Sequence, residues 1–287
     1  MNFVDQYIMA LLGKKIPIGQ WVSDAVEYIT DHFANQFNMV SDNMEAIIQW
    51  MITLFAQVHP LIMIFIICAF AYLIHRKIIL VIGVALALLL IYNQGYWQET
   101  LETCALVLCS TVVSVFLGIP VGIISAHRPV IFTILRPFLD LMQTIPTFVY
   151  LIPTLMLFGL GMVPGLISTV IFAIPAPIRL TYLGIRSVPQ QLIDAGKAFG
   201  SSPFQMLYKV ELPHAMPTIM AGLTQCIMLS LSMVVVAALV GADGLGKPVI
   251  RALNTVNIAQ GFEAGLAIVI LAIILDRLLK QPGNFDQ

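Results

Sequence analysis

The sequence predicts an all-α, polytopic membrane protein, and three observations support that fold class. Residues of the set AVILMFWYC make up 59% of the 287 residues, whereas a soluble domain reaches roughly 45–50% even with glycine counted. Charged residues make up 10%, against about 25% in soluble domains. Apolar stretches long enough for membrane helices recur along the chain, and the mean hydropathy is +0.94. These values exclude a soluble globular enzyme, a disordered chain and a coiled coil.

Residues 1–58 are expected to form amphipathic N-terminal helices on the membrane surface. Residues 1–45 are mostly polar, and apolar residues recur at helical spacing within 3–12 and again from Val22 to Phe37. This pattern is typical of helices that lie in the interface. Residues 46–58 are apolar but fall short of the roughly 20 residues that a spanning helix needs. We therefore predict that this segment does not cross the bilayer.

Residues 59–280 contain about seven predicted transmembrane helices, followed by a short tail at 281–287. The spans are predicted at 59–75, 78–93, 100–126, 141–159, 163–185, 214–240 and 262–280. Prolines predict kinks in several of them, and Pro175 and Pro177 are expected to break the fifth. The spacing of Gly118 and Gly122 inside the third span indicates close approach to another helix.

The distribution of basic residues predicts the orientation of these spans. With the loop after the fifth span on the cytoplasmic side, that side holds ten of the fourteen Lys and Arg residues. Because cytoplasmic loops carry the excess of positive charge, the N-terminus is expected outside and the C-terminus in the cytoplasm.

The charged, cysteine and histidine residues point to no nucleic-acid or metal partner. The net charge is −1, so no basic surface is expected to bind nucleic acid. The four cysteines lie in apolar runs without a CxxC pair, and the five histidines are scattered. We predict buried cysteines that pack as small hydrophobic residues, without a disulfide framework or a metal site.

The loop between the fifth and sixth predicted spans, residues 187–213, is the segment most informative about function. It is too polar to cross a membrane, yet its apolar residues recur at helical spacing. Gly200, followed by two serines and Pro203, predicts the end of one helix and the start of another. A helix–turn–helix presented on the cytoplasmic face is the expected structure.

This loop resembles the EAA loop of ABC importer permeases. The family pattern is E-A-A, three residues, G, nine residues and I-x-L-P, and the loop has the same spacing with Asp for Glu, Gly for the second Ala and Val for Ile. The matching residues are Asp194, Ala195, Gly196, Gly200, Val210, Leu212 and Pro213. Leu212-Pro213 is expected to mark the return of the chain into the sixth span, since proline is tolerated in a first helical turn.

Longer segments resemble the permease subunit of glycine betaine/proline importers, from about Trp21 to Lys280. The stretches that carry this likeness are 140–161, 212–222 and 267–278. The resemblance implies a MetI-like permease fold in the inner membrane, a second copy of the chain as partner, and surrounding lipid. It further implies cytoplasmic ATPase subunits docked on the loop, which supply ATP and Mg, and an external binding protein that delivers a quaternary-ammonium solute. This chain itself is expected to have no catalytic residue and no cofactor.

Weakly polar and aromatic residues on the fourth and sixth spans are candidates for a solute pathway. Aromatic faces attract methylated ammonium groups by cation–π contacts, but hydrogen bonding between helices is an equally good explanation of each residue. The candidates are Gln143, Thr144, Thr147, Phe148, Tyr150, Thr154, Gln225, Ser230 and Ser232.

Residues 241–248 nearly spell a phosphate-binding loop, but we predict an external turn that binds no nucleotide. Pro248 occupies the position of the Mg²⁺-binding hydroxyl, and a predicted span rather than a strand precedes the glycines. Asp243, Lys247 and Arg251 instead give this segment charged groups for contact with an external binding protein.

Two alternatives to a glycine betaine-type permease stay open. The first is a permease of the same superfamily for another small solute, such as methionine or a sulfonate. The second is an ion-coupled secondary carrier, which would need titratable groups in the middle of the membrane. The predicted spans lack such groups, and this lack disfavours the carrier.

Overall fold

The computed structural model describes residues 17–279, in which the chain forms helices joined by short turns. The predicted helix within 3–12 and the tail at 281–287 lie outside the described residues. The first half of the fold consists of α1 (Ile18–Ala56), α2 (Pro60–His75), α3 (Ile78–Asn93), α4 (Trp97–His127), α5 (Pro129–Thr144), a 3₁₀ turn (Thr147–Tyr150) and α6 (Leu151–Phe158).

The second half contains the polar loop and the helices that flank it. It consists of α7 (Met162–Ala173), α8 (Pro175–Arg186), α9 (Gln190–Ala198), α10 (Pro203–Met206), a π-helical turn (Leu207–Glu211), α11 (Leu212–Ala237), a 3₁₀ turn (Ala238–Val240), α12 (Gly246–Thr255) and α13 (Ile258–Leu279).

Four helical stretches in the described residues are each long and apolar enough by themselves to cross a membrane. They are Trp97–His127, Met162–Arg186, Pro203–Val240 and Ile258–Leu279. The number rises to six if two sharply bent helix pairs each count as one span, while α3, with 16 residues, is apolar but shorter. All seven predicted segments are helical, but their lengths and bends reduce the number of simple spans. Met162–Arg186 runs on through the prolines that were expected to break it.

The N-terminal segment differs from the prediction. The amphipathic helix expected from Val22 to Phe37 and the apolar segment from residue 46 onward belong to one helix. Helix α1 runs 39 residues, with non-helical backbone angles at Phe33, where the helix is kinked. Its first half exposes Trp21 and Tyr28, whereas Ile48 and Ile52 near its end are buried in the main hydrophobic core with residues of α3, α4 and α13. Residues 46–56 are therefore not a separate interfacial helix, and their packing continues into the rest of the fold.

The predicted fourth span, 141–159, is wrong in its boundaries. Helix α5 begins at Pro129 and ends before Pro146, and the following helix turns away by 104°. Proline lacks the N–H that would bond to the carbonyl four residues earlier, which here is that of Met142. The hydroxyl of Tyr150 donates to this carbonyl at 2.7 Å. The break therefore keeps a partner for the carbonyl that the proline leaves unbonded.

Glycines bring α4, α8 and α11 into unusually close contact. A methyl group added at Gly122 on α4 would lie 2.6 Å from the Thr181 Cβ of α8, and one at Gly118 would lie 2.9 Å from the Pro177 ring. On the other side of α8, a Cβ at Gly184 would lie 3.1 Å from the backbone oxygen of Ala215 on α11. The close approach predicted from the Gly118–Gly122 spacing is confirmed, and it joins three helices into one block.

Candidate coupling site

The predicted helix–turn–helix between the fifth and sixth spans is present, and local hydrogen bonds build its turn. Helix α9 ends with Gly200 at φ +74°, a left-handed conformation that glycine adopts without steric cost. The Ser201 amide donates to the Gly196 carbonyl at 3.0 Å, and the Gly200 amide donates to Lys197 at 2.9 Å. This pair of bonds is a Schellman motif, which satisfies carbonyls at a helix end.

A capping box then starts α10 only two residues after the glycine. The Gln205 amide donates to the Ser202 hydroxyl at 3.3 Å, and the Ser202 amide donates to the Gln205 side chain at 2.9 Å. Pro203 takes the first helical position, where a missing N–H has no consequence. Interactions between residues close in sequence therefore build the turn between the two helices.

The two arms of the hairpin also touch directly at Gly196. A Cβ at this position would lie 2.6 Å from the Met206 Cε and 3.7 Å from Val210. Met206 is buried, although no residue of α9 is. Glycine in place of the second alanine of the EAA pattern thus makes room for the methionine side chain.

The first two residues of the motif, Asp194 and Ala195, face away from the fold. Both are exposed, and the carboxylate of Asp194 accepts a hydrogen bond from Gln190 at 2.9 Å on the same helix. The carboxylate of Asp194 is therefore available at the surface of the hairpin.

The helical backbone runs without a break into Leu212 and Pro213, the residues expected to mark the return of the chain into the sixth span. The helix is continuous from Pro203, and the widened π turn at Leu207–Glu211 lies just before Pro213. A π turn relieves the clash between the proline ring and the preceding turn, so the proline is accommodated without a stop. The hairpin is thus directly continuous with the sixth span.

A buried carboxyl group links this π turn to the end of α4. Glu211 is 6% exposed, and its Oε2 lies 2.9 Å from the Nε2 of His127. The Nδ1 of the same ring lies 2.9 Å from the Ile123 carbonyl, which can only accept, so Nδ1 donates. This contact ties the second arm of the hairpin to the adjoining span.

Three exposed aromatic side chains form the tip of the hairpin. Phe199 is 91% exposed, Phe204 74% and Tyr208 66%, and the rings of Phe204 and Tyr208 stack 6.5 Å apart. Phe204 and Tyr208 were not among the predicted site residues, although large apolar residues in a polar loop were a usable signal. Exposed apolar side chains clustered in this way are typical of a protein contact surface.

The pathway candidates on the fourth span are divided between surface and interior. Thr144, Thr147, Phe148 and Tyr150 lie at or near the bend between α5 and α6. Thr154 is buried, and its hydroxyl lies 2.8 Å from that of Ser168 on α7. For Thr154 the structure thus provides the helix-to-helix hydrogen bond that was the alternative explanation.

Gln143 is engaged by a charged group from another span. The guanidinium of Arg179 on α8 donates to its side-chain oxygen at 2.9 Å and to the Asp140 carboxylate at 2.7 Å. These two hydrogen bonds join α8 to the last turns of α5, just before the bend between α5 and α6.

The candidates on the sixth span do not form one surface. Gln225 and Ser232 are exposed, and the Ser232 hydroxyl donates to the Met228 carbonyl of its own helix at 3.0 Å. Ser230 is fully buried. A pathway through these residues stays a prediction.

The glycine-rich segment 241–247 is held by tertiary contacts. The Leu245 amide donates to the buried Thr103 hydroxyl of α4 at 2.8 Å, and the Asp243 amide donates to the Met162 sulfur at 3.0 Å. A phosphate-binding loop needs its backbone amides free to point at the ligand. Because the amides of Asp243 and Leu245 already have partners within the fold, they are not free to bind a phosphate group, although the sequence resembles a phosphate-binding loop.

The three predicted external contact residues meet at one polar cavity of about 370 Å³. Lys247 pairs with Asp243, and Arg251 lines the same cavity. Tyr96 lines the opposite side, where burial and the carboxylates of Glu263 and Glu99 raise its pKa. The cavity therefore presents both signs of charge.

The family match places the chain in the class of membrane transport components. More specifically, the chain belongs to the family of binding-protein-dependent transport system inner membrane components, whose model matches residues 118–280. The matched region contains the whole hairpin and the glycine-joined helices α8 and α11.

Curated relatives match nearly the whole chain. The glycine betaine transport system permease protein OpuAB of Bacillus subtilis is 43% identical over 93% of this chain and 94% of its own. The glycine betaine/proline betaine permease protein ProW of Escherichia coli is 42% identical over 99% of this chain and 78% of its own. Among solved structures, an inward-facing MetNI methionine ABC transporter matches with a TM-score of 0.56 at 25% identity, over 62% of this chain and 91% of that one.

Proposed function

We propose that this chain is the permease subunit of an ATP-driven importer for a quaternary-ammonium compatible solute such as glycine betaine, proline betaine, choline or carnitine. The observation that carries the proposal is the similarity to glycine betaine permeases along nearly the full chain. The names of these relatives include glycine betaine and proline betaine, and this supports the solute class. The alternative hypothesis is that the chain transports methionine or a sulfonate.

The proposed mechanism is alternating access in a homodimer, driven by two cytoplasmic ATPase subunits. The hairpin from Asp194 to Pro213 would insert its tip, with Phe199 and Phe204, into a groove of the ATPase. ATP and Mg would be bound by that partner. The support is the exposure of the aromatic tip and the continuity of the second arm with the sixth span, because a lever must be both stiff and accessible.

Cysteine labelling tests the proposed orientation, in which the N-terminus is outside. In a variant without native cysteines, we expect Asp24→Cys and Asp42→Cys to react with an impermeant thiol reagent on intact cells. Ser201→Cys on the hairpin is the matched control, and it should react only after the membrane is opened. All three positions are at least partly exposed in the fold. The reverse pattern would place the hairpin outside and remove it from any cytoplasmic ATPase.

Uptake by proteoliposomes tests the function. The permease, purified together with its ATPase and supplied with its binding protein, should accumulate labelled glycine betaine or a related solute only when ATP is enclosed with the ATPase. Uptake of methionine without glycine betaine would support the competing cargo. Uptake by the permease alone, driven by an ion gradient, would instead identify a secondary carrier.

A further inference from the structure

A long groove lies between α3 and α13, away from the hairpin. It has a volume of about 720 Å³. Its lining is apolar along most of its length and cationic at one end. The lining residues on α3 and just before it are Lys77, Ile78, Ile79, Leu80, Gly83, Val84 and Ala87, and those on α13 are Ile270, Ile273, Ile274 and Arg277.

The dimensions of the groove fit one leaflet of a bilayer. The lining extends ten residue steps along the chain from Lys77 to Ala87, or about 15 Å at the helical rise. The hydrocarbon core of a bilayer is about 30 Å thick, so this is about half of it. Both cations lie at the same end, because Lys77 precedes α3 and Arg277 is in the last turn of α13. The groove thus has an apolar body of one leaflet's depth and a cationic end.

A gap in the wall of α3 opens the groove toward the membrane. A side chain added at Gly83 would meet no atom within 4 Å, although Gly83 is a lining residue. Ile79 and Ile273 are 83% and 53% exposed. An acyl chain could therefore lie along Gly83 without displacing protein atoms.

We propose that this groove is a binding site for an anionic phospholipid, with an acyl chain along Gly83 and Ile273 and the phosphate beside Lys77 and Arg277. Basic pockets between transmembrane helices are suited to anionic lipid head groups. The length of α3 also supports the assignment. Its 16 residues give about 24 Å of helix, somewhat less than the hydrocarbon core, and this places Lys77 at its end within reach of the head-group region.

Charge complementarity favours a lipid over the other candidate occupants. A zwitterionic solute would gain little from an isoleucine-rich wall, and a free anion would not use the apolar body. Lys77 and Arg277 each have a further interaction within the fold, so the proposal depends on their position at the end of the groove and not on their being unpaired. It does not depend on which solute is carried.

Native mass spectrometry of the full-length protein tests the proposal. The protein would be extracted from nanodiscs containing equal amounts of phosphatidylglycerol and phosphatidylcholine, and its retained lipids would be counted. We expect a retained phosphatidylglycerol in excess over phosphatidylcholine. The double variant Lys77→Gln/Arg277→Gln should reduce that preference about ten-fold, while Arg76→Gln, a change to an exposed cation outside the groove, should preserve it.

A second pair of variants tests the apolar body without changing any charge. Gly83→Leu should remove the retained lipid of either kind, because the new side chain fills the groove. Gly265→Leu on α13 is the matched control, since a side chain there also meets nothing within 4 Å but does not line the groove.

Five outcomes would overturn the proposal. They are equal retention of the two lipids by the unaltered protein, equal losses in the Arg76 and Lys77/Arg277 variants, and retained lipid in Gly83→Leu. The fourth is displacement of the retained lipid by millimolar inorganic phosphate, which would identify a site for a free anion. Spontaneous disulfide formation between copies carrying Ile273→Cys would likewise contradict it, by identifying the groove as a contact between copies.

Discussion

Two glycine-containing turns of this protein contrast in how they are held. The turn at Gly200 uses hydrogen bonds within about ten residues of chain, and a side chain at Gly200 would meet nothing within 4 Å. The turn from Gly241 to Gly246 is enclosed. A Cβ at Gly246 would lie 2.4 Å from the Val234 backbone oxygen, and one at Gly244 would lie 2.6 Å from the Thr103 hydroxyl. The first turn is held locally and the second by the surrounding helices.

This difference separates a turn that is free to contact a partner from one that is part of the core. The local turn presents aromatic side chains to solvent, so that its surface can change partners while its backbone stays the same. The enclosed turn fixes the ends of α11 and α12 against α4. Substitutions should therefore affect uptake at the first turn and folding at the second.

The largest effect is expected for Gly246→Leu. The new side chain would collide with backbone atoms of α11 that cannot rotate away, and overpacking of this kind costs about 1–3 kcal/mol or more. We expect little protein in the membrane and a strongly lowered unfolding temperature, measured by fluorescence-detected size-exclusion chromatography after heating. Gly265→Leu, in open space, should behave like the unaltered protein. Normal stability of Gly246→Leu would show that the turn is not enclosed as described.

At the local turn, Gly200→Leu should abolish ATP-driven uptake while membrane insertion stays normal. A left-handed conformation costs an ordinary residue about 1–2 kcal/mol, and the hairpin stop depends on that conformation. The control is Gly200→Asn, because asparagine tolerates this backbone geometry and should retain most of the uptake. If Gly200→Leu transports normally, the coupling role of the hairpin is contradicted.

A smaller effect is expected for Thr103→Val, which retains the shape of the side chain but removes the acceptor of the Leu245 amide. Thr103 is fully buried, and leaving a buried amide without a partner costs about 1–3 kcal/mol. The unfolding temperature should fall by a few degrees, with uptake retained at low temperature. Thr133→Val, at an exposed threonine, should change neither. An equal fall in both variants would argue against the Thr103 contact.

The smallest effect is expected for Lys247→Ala at the rim of the polar cavity. The Lys247–Asp243 pair is nearly half exposed, and such pairs contribute about 0–1 kcal/mol. We expect unchanged stability and unchanged ATP affinity of the assembled complex. Stimulation of ATPase activity by the binding protein should weaken modestly, more at low salt than at high salt. Binding of ATP to the permease alone, lost in Lys247→Ala, would restore the phosphate-loop interpretation.

Features set by neighbouring residues were predictable from the sequence. The helix stop at Gly200, the restart at Pro203 and the close approach at Gly118 follow from local patterns. Features set by distant contacts were not. The sequence near Ile48 does not show that it packs on α4, and nothing near Pro146 indicates that Tyr150 satisfies the freed carbonyl of Met142. For the same reason the aromatic tip was missed, because Phe204 and Tyr208 could equally have been buried.

The contacts at Gly118, Gly122 and Gly184 leave α4, α8 and α11 almost no freedom to slide past one another. The chain enters the hairpin from α8 and leaves it into α11, so both stems belong to the same clamped block. In the proposed mechanism, a force applied at the tip would therefore act on these three helices together. The two sharp bends of the chain, 104° between α5 and α6 and 96° between α1 and α2, both lie outside this block. The hairpin is thus attached at both ends to the most tightly packed helices of the fold, and not to the segments next to the two bends.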